Sequence, residues 1–296
     1  MWRSDDERAA SIGVMTTPDF DDLLAAADAW GADHVAVAVV GPLGVLADHG
    51  DLDRVFRWAS VTKPVTALST LQAVDDGLID LDEPAGPPDS TVRHLLAHTS
   101  GLPFDGTALL GPPGRRRIYS NTGFDLLGDL VAERRRLPFD QVVDDWILAP
   151  LGMGATSLVQ RPSQGLEGTL RDLATLAREF LRPTLLRPAT AAAMVGPAFP
   201  GVPGLVPGVG RFDDCAWGLG VELHATKTPH WMGSGNSPAA FGHFGGTGTF
   251  LWVEPELDLA VAALTDREYG PWALEAWPRF SDTIIDRWSR RPPPAG

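Results

Sequence analysis

One cysteine, Cys215, occurs among the 296 residues, so no internal disulfide can form and thiol redox chemistry has no second partner. A solitary cysteine reads as a small core residue. The segment from Met1 to Phe20 has scattered charges and no apolar run of seven or more residues, which argues against a secretory signal or a membrane anchor there. A cytoplasmic location is expected, with residues 1–16 as a disordered leader and Met15 as an alternative start. Positive charge is scarce too: 24 lysines and arginines face 38 acidic residues, for a net charge of −14. That sign repels phosphate backbones and anionic lipid, so neither nucleic acid nor membrane is an expected partner. The arginine runs at 115–117 and 134–136 are short, and the second sits at an expected helix end, where basic side chains suit the helix dipole.

Scarcest of the chemistry-bearing residues after cysteine are lysine and tyrosine, with two of each. One of each falls in Ser60-Val61-Thr62-Lys63 and Tyr119-Ser120-Asn121. Given how few serines, lysines, tyrosines and asparagines the chain has, finding both patterns is roughly a one-in-a-thousand coincidence. On a helix, positions i and i+3 share a face, so the Lys63 amine can approach the Ser60 hydroxyl. A serine needs a base to become a nucleophile, and a desolvated lysine can be one. Pro64 still lies in the first turn of such a helix, where proline is tolerated. Taken alone, the serine also reads as a helix cap and the lysine as a surface charge. Tyr119 can present its phenol as a proton shuttle and Asn121 can hydrogen-bond Lys63 or the substrate, while the same tripeptide also reads as a capping turn before a helix.

Apolar and charged fractions of 44% and 21% are those of a folded globular protein. Hydrophobic spacing predicts a helix over 20–30, strands over 34–40, 44–47 and 55–58 with a turn at His49-Gly50-Asp51, and a helix from Ser60 to about Asp76. Helices are then expected over 92–97, 122–135, 139–148, 170–181 and 188–195, with a Pro/Gly-rich loop at 196–210. Strands return over 217–223, 249–253 and 259–264 before a closing helix over 271–287. This order predicts an α/β (α+β) chain in which both ends build an antiparallel sheet flanked by N- and C-terminal helices, about 17–60 and 211–296, with an all-helical insertion over about 61–210. Ser60 falls at the boundary, where a cleft is expected. A third segment, Phe241 to Phe250, packs four glycines around His243 and Thr247 and opens onto a strand; an exposed main-chain N–H there can serve an oxyanion, although a glycine-rich hairpin with a structural histidine reads equally well.

Together the three segments resemble the serine β-lactamase and penicillin-binding protein family, in its class C-like branch with the family VIII esterases; Ser-x-x-Lys is one of its signatures. The stretch Thr91 to Pro103 and the turn Pro150-Leu151-Gly152-Met153 add to the likeness, which covers the chain from about residue 17 to the last helix. The resemblance implies the DD-peptidase/β-lactamase fold, with Ser60 as the acylated nucleophile, Lys63 as its proton acceptor and Tyr119 as a shared acid and base. Asn121, His243, Gly245 and Gly246 are then the substrate-binding residues, His243-Phe244-Gly245 stands at the Lys-Thr-Gly position, and the N–H groups of Ser60 and Gly246 form the oxyanion hole. No metal and no cofactor are implied.

Lys227-Thr228-Pro229 imitates Lys-Thr-Gly, but no glycine-rich strand follows it, so Lys227 is expected outside the site. His94 and His98 are expected to be structural, since no glutamate or third ligand accompanies them. Trp58 and Trp252, beside the site strands, are candidates to line the cleft. A histidine at the third motif, largely neutral at physiological pH, removes the permanent cation that would hold a substrate carboxylate. A carboxylesterase-type serine hydrolase of small esters or amides is therefore the leading expectation. A β-lactamase or D-alanyl peptidase is the alternative, and an acyltransferase or a non-catalytic binding protein of the same fold comes after it. The oligomeric state is not legible.

Overall fold

Valine and alanine alternate from Val35 to Val40, and both faces of the strand they form are buried. Such a strand needs apolar cover on each side, and the topology supplies it. The computed structural model describes residues 20–290; the leader expected over 1–16 lies outside the described residues. The described residues open with α1 (Asp21–Leu24), which tightens into a 3-10 helix over Ala25–Trp30. A hairpin of β1 (Val35–Gly41) and β2 (Gly44–Gly50) follows, then β3 (Phe56–Arg57), a 3-10 turn at Ala59–Val61 and α2 (Thr62–Asp75). The insertion contains α3 (Val92–Leu96), β4 (Arg117–Ile118), α4 (Asn121–Arg135), α5 (Phe139–Val143), α6 (Ala149–Leu151), β5 (Ser157–Leu158), β6 (Leu166–Gly168), α7 (Leu170–Leu181) and α8 (Pro188–Val195). After β7 (Gly204–Val206) and β8 (Gly210–Phe212) come β9 (Glu222–Leu223), β10 (Phe241–Gly245), β11 (Thr249–Glu254), β12 (Leu259–Thr265) and α9 (Pro271–Ser289).

Six strands form one antiparallel sheet in the order β2-β1-β12-β11-β10-β9. It divides two hydrophobic cores, because side chains alternate across a strand. Ala36, Ala38, Val40, Leu251, Ala260 and Leu264 point to the insertion side, together with α2 and α7. Val37, Val39, Phe250, Trp252 and Val261 point the other way, under α1 and α9. Helix α2 lies at the centre, buried on nearly every side from Thr62 to Ala73. Truncating a residue such as Leu71 to alanine there would cost about 2–5 kcal/mol.

Several expectations need adjusting. Strand β2 runs through His49 and Gly50 instead of turning there. Gly50 has φ +91°, and a Cβ on it would lie 2.1 Å from the Val35 carbonyl, so close approach of β1, not a turn, requires the glycine. The strand expected over 217–223 shrinks to β9 plus a single bridge from Trp217 to Glu222, because Gly218 and Gly220 press against Met194 and Ala67. The insertion, expected to be all-helical, is crossed by strands of two or three residues, too short to produce a period-two pattern. With β3 and β8 they form two three-stranded sheets, β3-β6-β5 and β4-β7-β8. Among the described residues no helix is long and apolar enough to cross a membrane.

Candidate active site

Ser60 sits in the 3-10 turn between β3 and α2, and the residue before it, Ala59, has φ +47°. A side chain in the left-handed region costs about 1 kcal/mol or more, so the surroundings must hold the turn in place. They do so from two directions. The hydroxyls of Thr247 and Thr249 donate to the carbonyls of Arg57 (2.8 Å) and Trp58 (2.9 Å). From the insertion, Leu166 accepts the Trp58 N–H (2.9 Å) and donates its own N–H to the Thr62 hydroxyl (3.0 Å). Ser60 itself stays partly open.

Lys63 is completely buried one turn further along. Its Nζ donates to Asn121 Oδ1 (2.7 Å) and to the Ser163 carbonyl (2.8 Å), and lies 3.2 Å from Ser60 Oγ. Burial lowers its pKa from 10.5 to about 7, and the nearby Asp125 and Asp105 carboxylates only partly oppose it. A neutral amine has two N–H bonds and one lone pair. With both N–H bonds taken by Asn121 and Ser163, the lone pair is left for the Ser60 hydroxyl.

Tyr119 follows β4 and is bracketed by His98, whose carbonyl accepts the Ile118 N–H (2.7 Å) and whose Nδ1 accepts the Ser120 N–H (3.1 Å). His98 is buried against the Tyr119 ring, with centroids 4.5 Å apart. Ser120 caps α4 through the Gly123 N–H (3.0 Å), which sets Asn121 at the helix start facing Lys63. The Tyr119 hydroxyl hydrogen-bonds with His243 Nε2 at 3.5 Å, and Ser60 is the neighbour whose hydrogen bonding would lower the phenol's pKa. Burial, joined by the Glu222 charge and opposed by the Ser60 bond, pushes the phenol above its usual range, so it holds its proton at neutral pH.

His243 and Gly245 share the face of β10 that looks toward α2. The His243 Nδ1–H donates to the Phe244 carbonyl (2.8 Å), which leaves a bare Nε2 toward Tyr119. Burial, and then the Lys63 charge, lower this imidazole from 6.5 to about 3, against the pull of the Phe244 carbonyl. Gly245 cannot carry a side chain: a Cβ would lie 2.5 Å from the Trp58 carbonyl and 2.4 Å from Thr249 Oγ1. The strand is thereby pressed against the Ser60 turn.

The same two turns orient two N–H groups. In a trans peptide the N–H points opposite to the C=O. The Ala59 carbonyl accepts the Thr62 N–H, and the Gly245 carbonyl accepts the Gly248 N–H at 3.1 Å. The N–H groups of Ser60 and Gly246 therefore point away from their turns, and neither has a main-chain partner among the described residues.

Sequence reasoning overlooked several contributors. Asp125 accepts the Ser163 N–H (3.1 Å) and so aims the Ser163 carbonyl at Lys63. Trp217, 6.2 Å from the Tyr119 ring and 5.9 Å from His243, backs both. Phe104 stacks on Tyr119 at 5.8 Å and is half exposed. Hydrophobicity and motif spacing carry no sign of any of these. Trp252, a candidate for the cleft, faces the opposite core and donates to Ser281 Oγ (3.0 Å). Trp58 is fully buried in the core around α2 and is no part of an open cleft wall. His94 closes a capping box with Thr91 at the start of α3. Lys227 is buried in an ion pair with Glu222, 2.8 Å away. Among the described residues no group of three or more His, Cys, Asp or Glu is disposed to hold a metal.

A family model described as Beta-lactamase matches residues 20–282. A beta-lactamase from Mycobacterium bovis, Mb2281c, has a crystal structure 45% identical to this chain; the match covers 90% of this chain and 99% of that one with a TM-score of 0.88. D-alanyl-D-alanine-carboxypeptidase/endopeptidase AmpH of Escherichia coli strain K12 is 31% identical over 182 residues, 45% of this chain and 47% of that protein. Esterase EstB of Burkholderia gladioli is 28% identical over 181 residues, 39% of this chain and 46% of that protein. The chain thus spans less than half the length of these two curated relatives. Simvastatin synthase of Aspergillus terreus, 19% identical with a TM-score of 0.73 over 90% of this chain and 94% of that one, shares the fold.

Proposed function

The chain belongs to the beta-lactamase family, and on that footing we propose that it is a serine hydrolase of small uncharged esters acting through an acyl-enzyme on Ser60. One observation carries the chemistry: a buried amine whose N–H bonds are occupied by Asn121 and Ser163 and whose lone pair is left for Ser60 Oγ, 3.2 Å away. As Oγ attacks the acyl carbon, Lys63 takes the hydroxyl proton, and the N–H groups of Ser60 and Gly246 receive the oxyanion. On collapse the bond to the leaving oxygen breaks, and that oxygen takes the Tyr119 proton. The Lys63 ammonium, which packs against the Tyr119 ring 4.7 Å from its centroid and contacts Ser60 Oγ, gives up its proton by way of that oxygen to resupply the phenol. Water then attacks the acyl group while the same groups move protons in reverse.

Ester rather than lactam or peptide is favoured by charge. His243 stays neutral, and a chain of net charge −14 repels anionic substrates. Intact-mass analysis of the protein with p-nitrophenyl esters, nitrocefin and D-alanyl peptides, with Ser60→Ala alongside, tests the reading. An adduct that persists without Ser60 refutes the mechanism, and faster acylation by nitrocefin than by esters refutes the substrate class. The 45% identity to the Mycobacterium bovis beta-lactamase makes lactam hydrolysis the second reading, and the nitrocefin arm decides between them.

A further inference from the structure

Of the two lysines in the chain, the one outside the site is as deeply buried as the one inside it. Lys227 Nζ stands 2.8 Å from Glu222 Oε1, and neither side chain reaches solvent. A buried pair of this kind adds little net stability, because lost hydration offsets most of the attraction. What it does add is direction. Besides the carboxylate, Lys227 Nζ grips the Ala216 carbonyl (2.9 Å), immediately before Trp217. Glu222 is bridged through its main chain to Trp217 on one side and paired with Gly242, next to His243, on the other. Its second oxygen accepts the Trp231 indole N–H (2.8 Å). His230 accepts the Met232 N–H on Nδ1 (3.0 Å) and its Nε2 lies 3.2 Å from Glu222 Oε1, with no hydrogen bond between them.

All of these ties converge on Trp217. Its ring meets Tyr119 and His243 nearly edge to face, and also His98 at 5.2 Å. Its own indole N–H is buried with no partner among the described residues. The ring is therefore held by packing and by the main-chain grip on either side, not by a hydrogen bond of its own.

We propose that Lys227 is a positioning residue: by tying Glu222 to the Ala216 carbonyl it holds Trp217 against Tyr119 and His243, and so holds the Tyr119 hydroxyl where it can protonate the leaving group. The inference rests on the ester-hydrolase reading above. Its consequence is selective. When the tetrahedral adduct on Ser60 collapses, ethoxide must take the Tyr119 proton, whereas p-nitrophenolate leaves without one. Misplacing the phenol slows acylation by the ethyl ester and spares acylation by the p-nitrophenyl ester, while deacylation of the shared acyl-enzyme changes equally for both. A loss of folded protein slows both equally.

The operative variant is Glu222→Gln with Lys227→Met, since removing both members leaves no lone buried charge to unfold the protein. Wild type and variant are compared on p-nitrophenyl butyrate and ethyl butyrate, with thermal melts and the rate of Ser60 labelling by a fluorophosphonate. The expected result is a folded variant that keeps kcat/KM, which reports acylation, within about threefold on the p-nitrophenyl ester and loses about tenfold or more in kcat/KM on the ethyl ester. Equal losses on both esters, or none, overturn the proposal. If the wild type labels at Ser60 but hydrolyses neither ester, the ester reading falls by itself. Acylation by benzylpenicillin, whose ring nitrogen must take a proton as the C–N bond breaks, then decides against fluorophosphonate labelling, whose fluoride leaves without one: a variant slowed about tenfold on the first and spared on the second supports the tie, and equal changes overturn it.

Discussion

Lowering the pH from 7 to 5 is expected to slow acylation of Ser60 about fiftyfold, and the reason lies in one buried amine. In the proposed mechanism Lys63 is the base, and burial brings its pKa from 10.5 down to about 7. At about 1.4 kcal/mol per tenfold change, that depression disfavours the protonated amine by about 5 kcal/mol. About half the molecules then carry a free lone pair at pH 7, and about one in a hundred at pH 5. The burst of p-nitrophenol from an activated ester, followed from pH 5 to 9 with Ser60→Ala as the background, measures this directly. No alkaline fall is expected in that range, because the Tyr119 phenol is pushed above its ordinary value by burial. Asp125, the carboxylate that most opposes the depression of Lys63, gives the internal control: Asp125→Asn should move the acid limb to lower pH. A flat profile between pH 5 and 8, or a midpoint near 10, would refute the assignment of Lys63 as a neutral base.

The same amine links stability to pH. An unfolded chain keeps the lysine protonated up to about 10.5 while the folded one releases the proton near 7, so the unfolded state binds more protons in between and stability rises with pH across that window. Denaturant titrations of wild type and Lys63→Met at several pH values should show the wild type gaining on the variant from pH 7 to 10; a constant difference would contradict the depressed pKa. Gly245→Ala forces a Cβ to within 2.5 Å of the Trp58 carbonyl and should cost about 1–3 kcal/mol, whereas Gly246→Ala meets open space and should melt like wild type. Equal melting temperatures for the two would show that β10 is not wedged against the nucleophile turn. His243→Lys restores a cation at the third motif and should raise nitrocefin acylation relative to ester acylation by about ten- to hundredfold, the worth of one charge-assisted hydrogen bond; an unchanged ratio would mean that carboxylate discrimination comes from elsewhere.

Ser60 with Lys63, and Tyr119 with Asn121, could be read from the sequence because each pair meets within a single turn of chain, where spacing alone sets geometry. The glycines around His243 were visible for a related reason: a backbone pressed against another backbone excludes side chains, and Gly245 bears that mark. Helices α7 and α8 were legible to the residue, since their caps and proline signals are local. Tertiary structure alone decided the rest. The Ser163 carbonyl that occupies one Lys63 N–H is a main-chain group a hundred residues away, and a main-chain contact has no residue type to betray it. Trp252 and Leu251 are adjacent in sequence, yet one faces the core under α9 and the other the core around α2. Side chains alternate with a period of two, and only strand register settles which parity looks where. Lys227 looks in sequence like a mimic of the third motif, and in space its partners are Glu222 and the Ala216 carbonyl. That it grips the chain behind Trp217 depends on a hairpin closing around a buried carboxylate, and long-range packing of that sort is written in no local pattern.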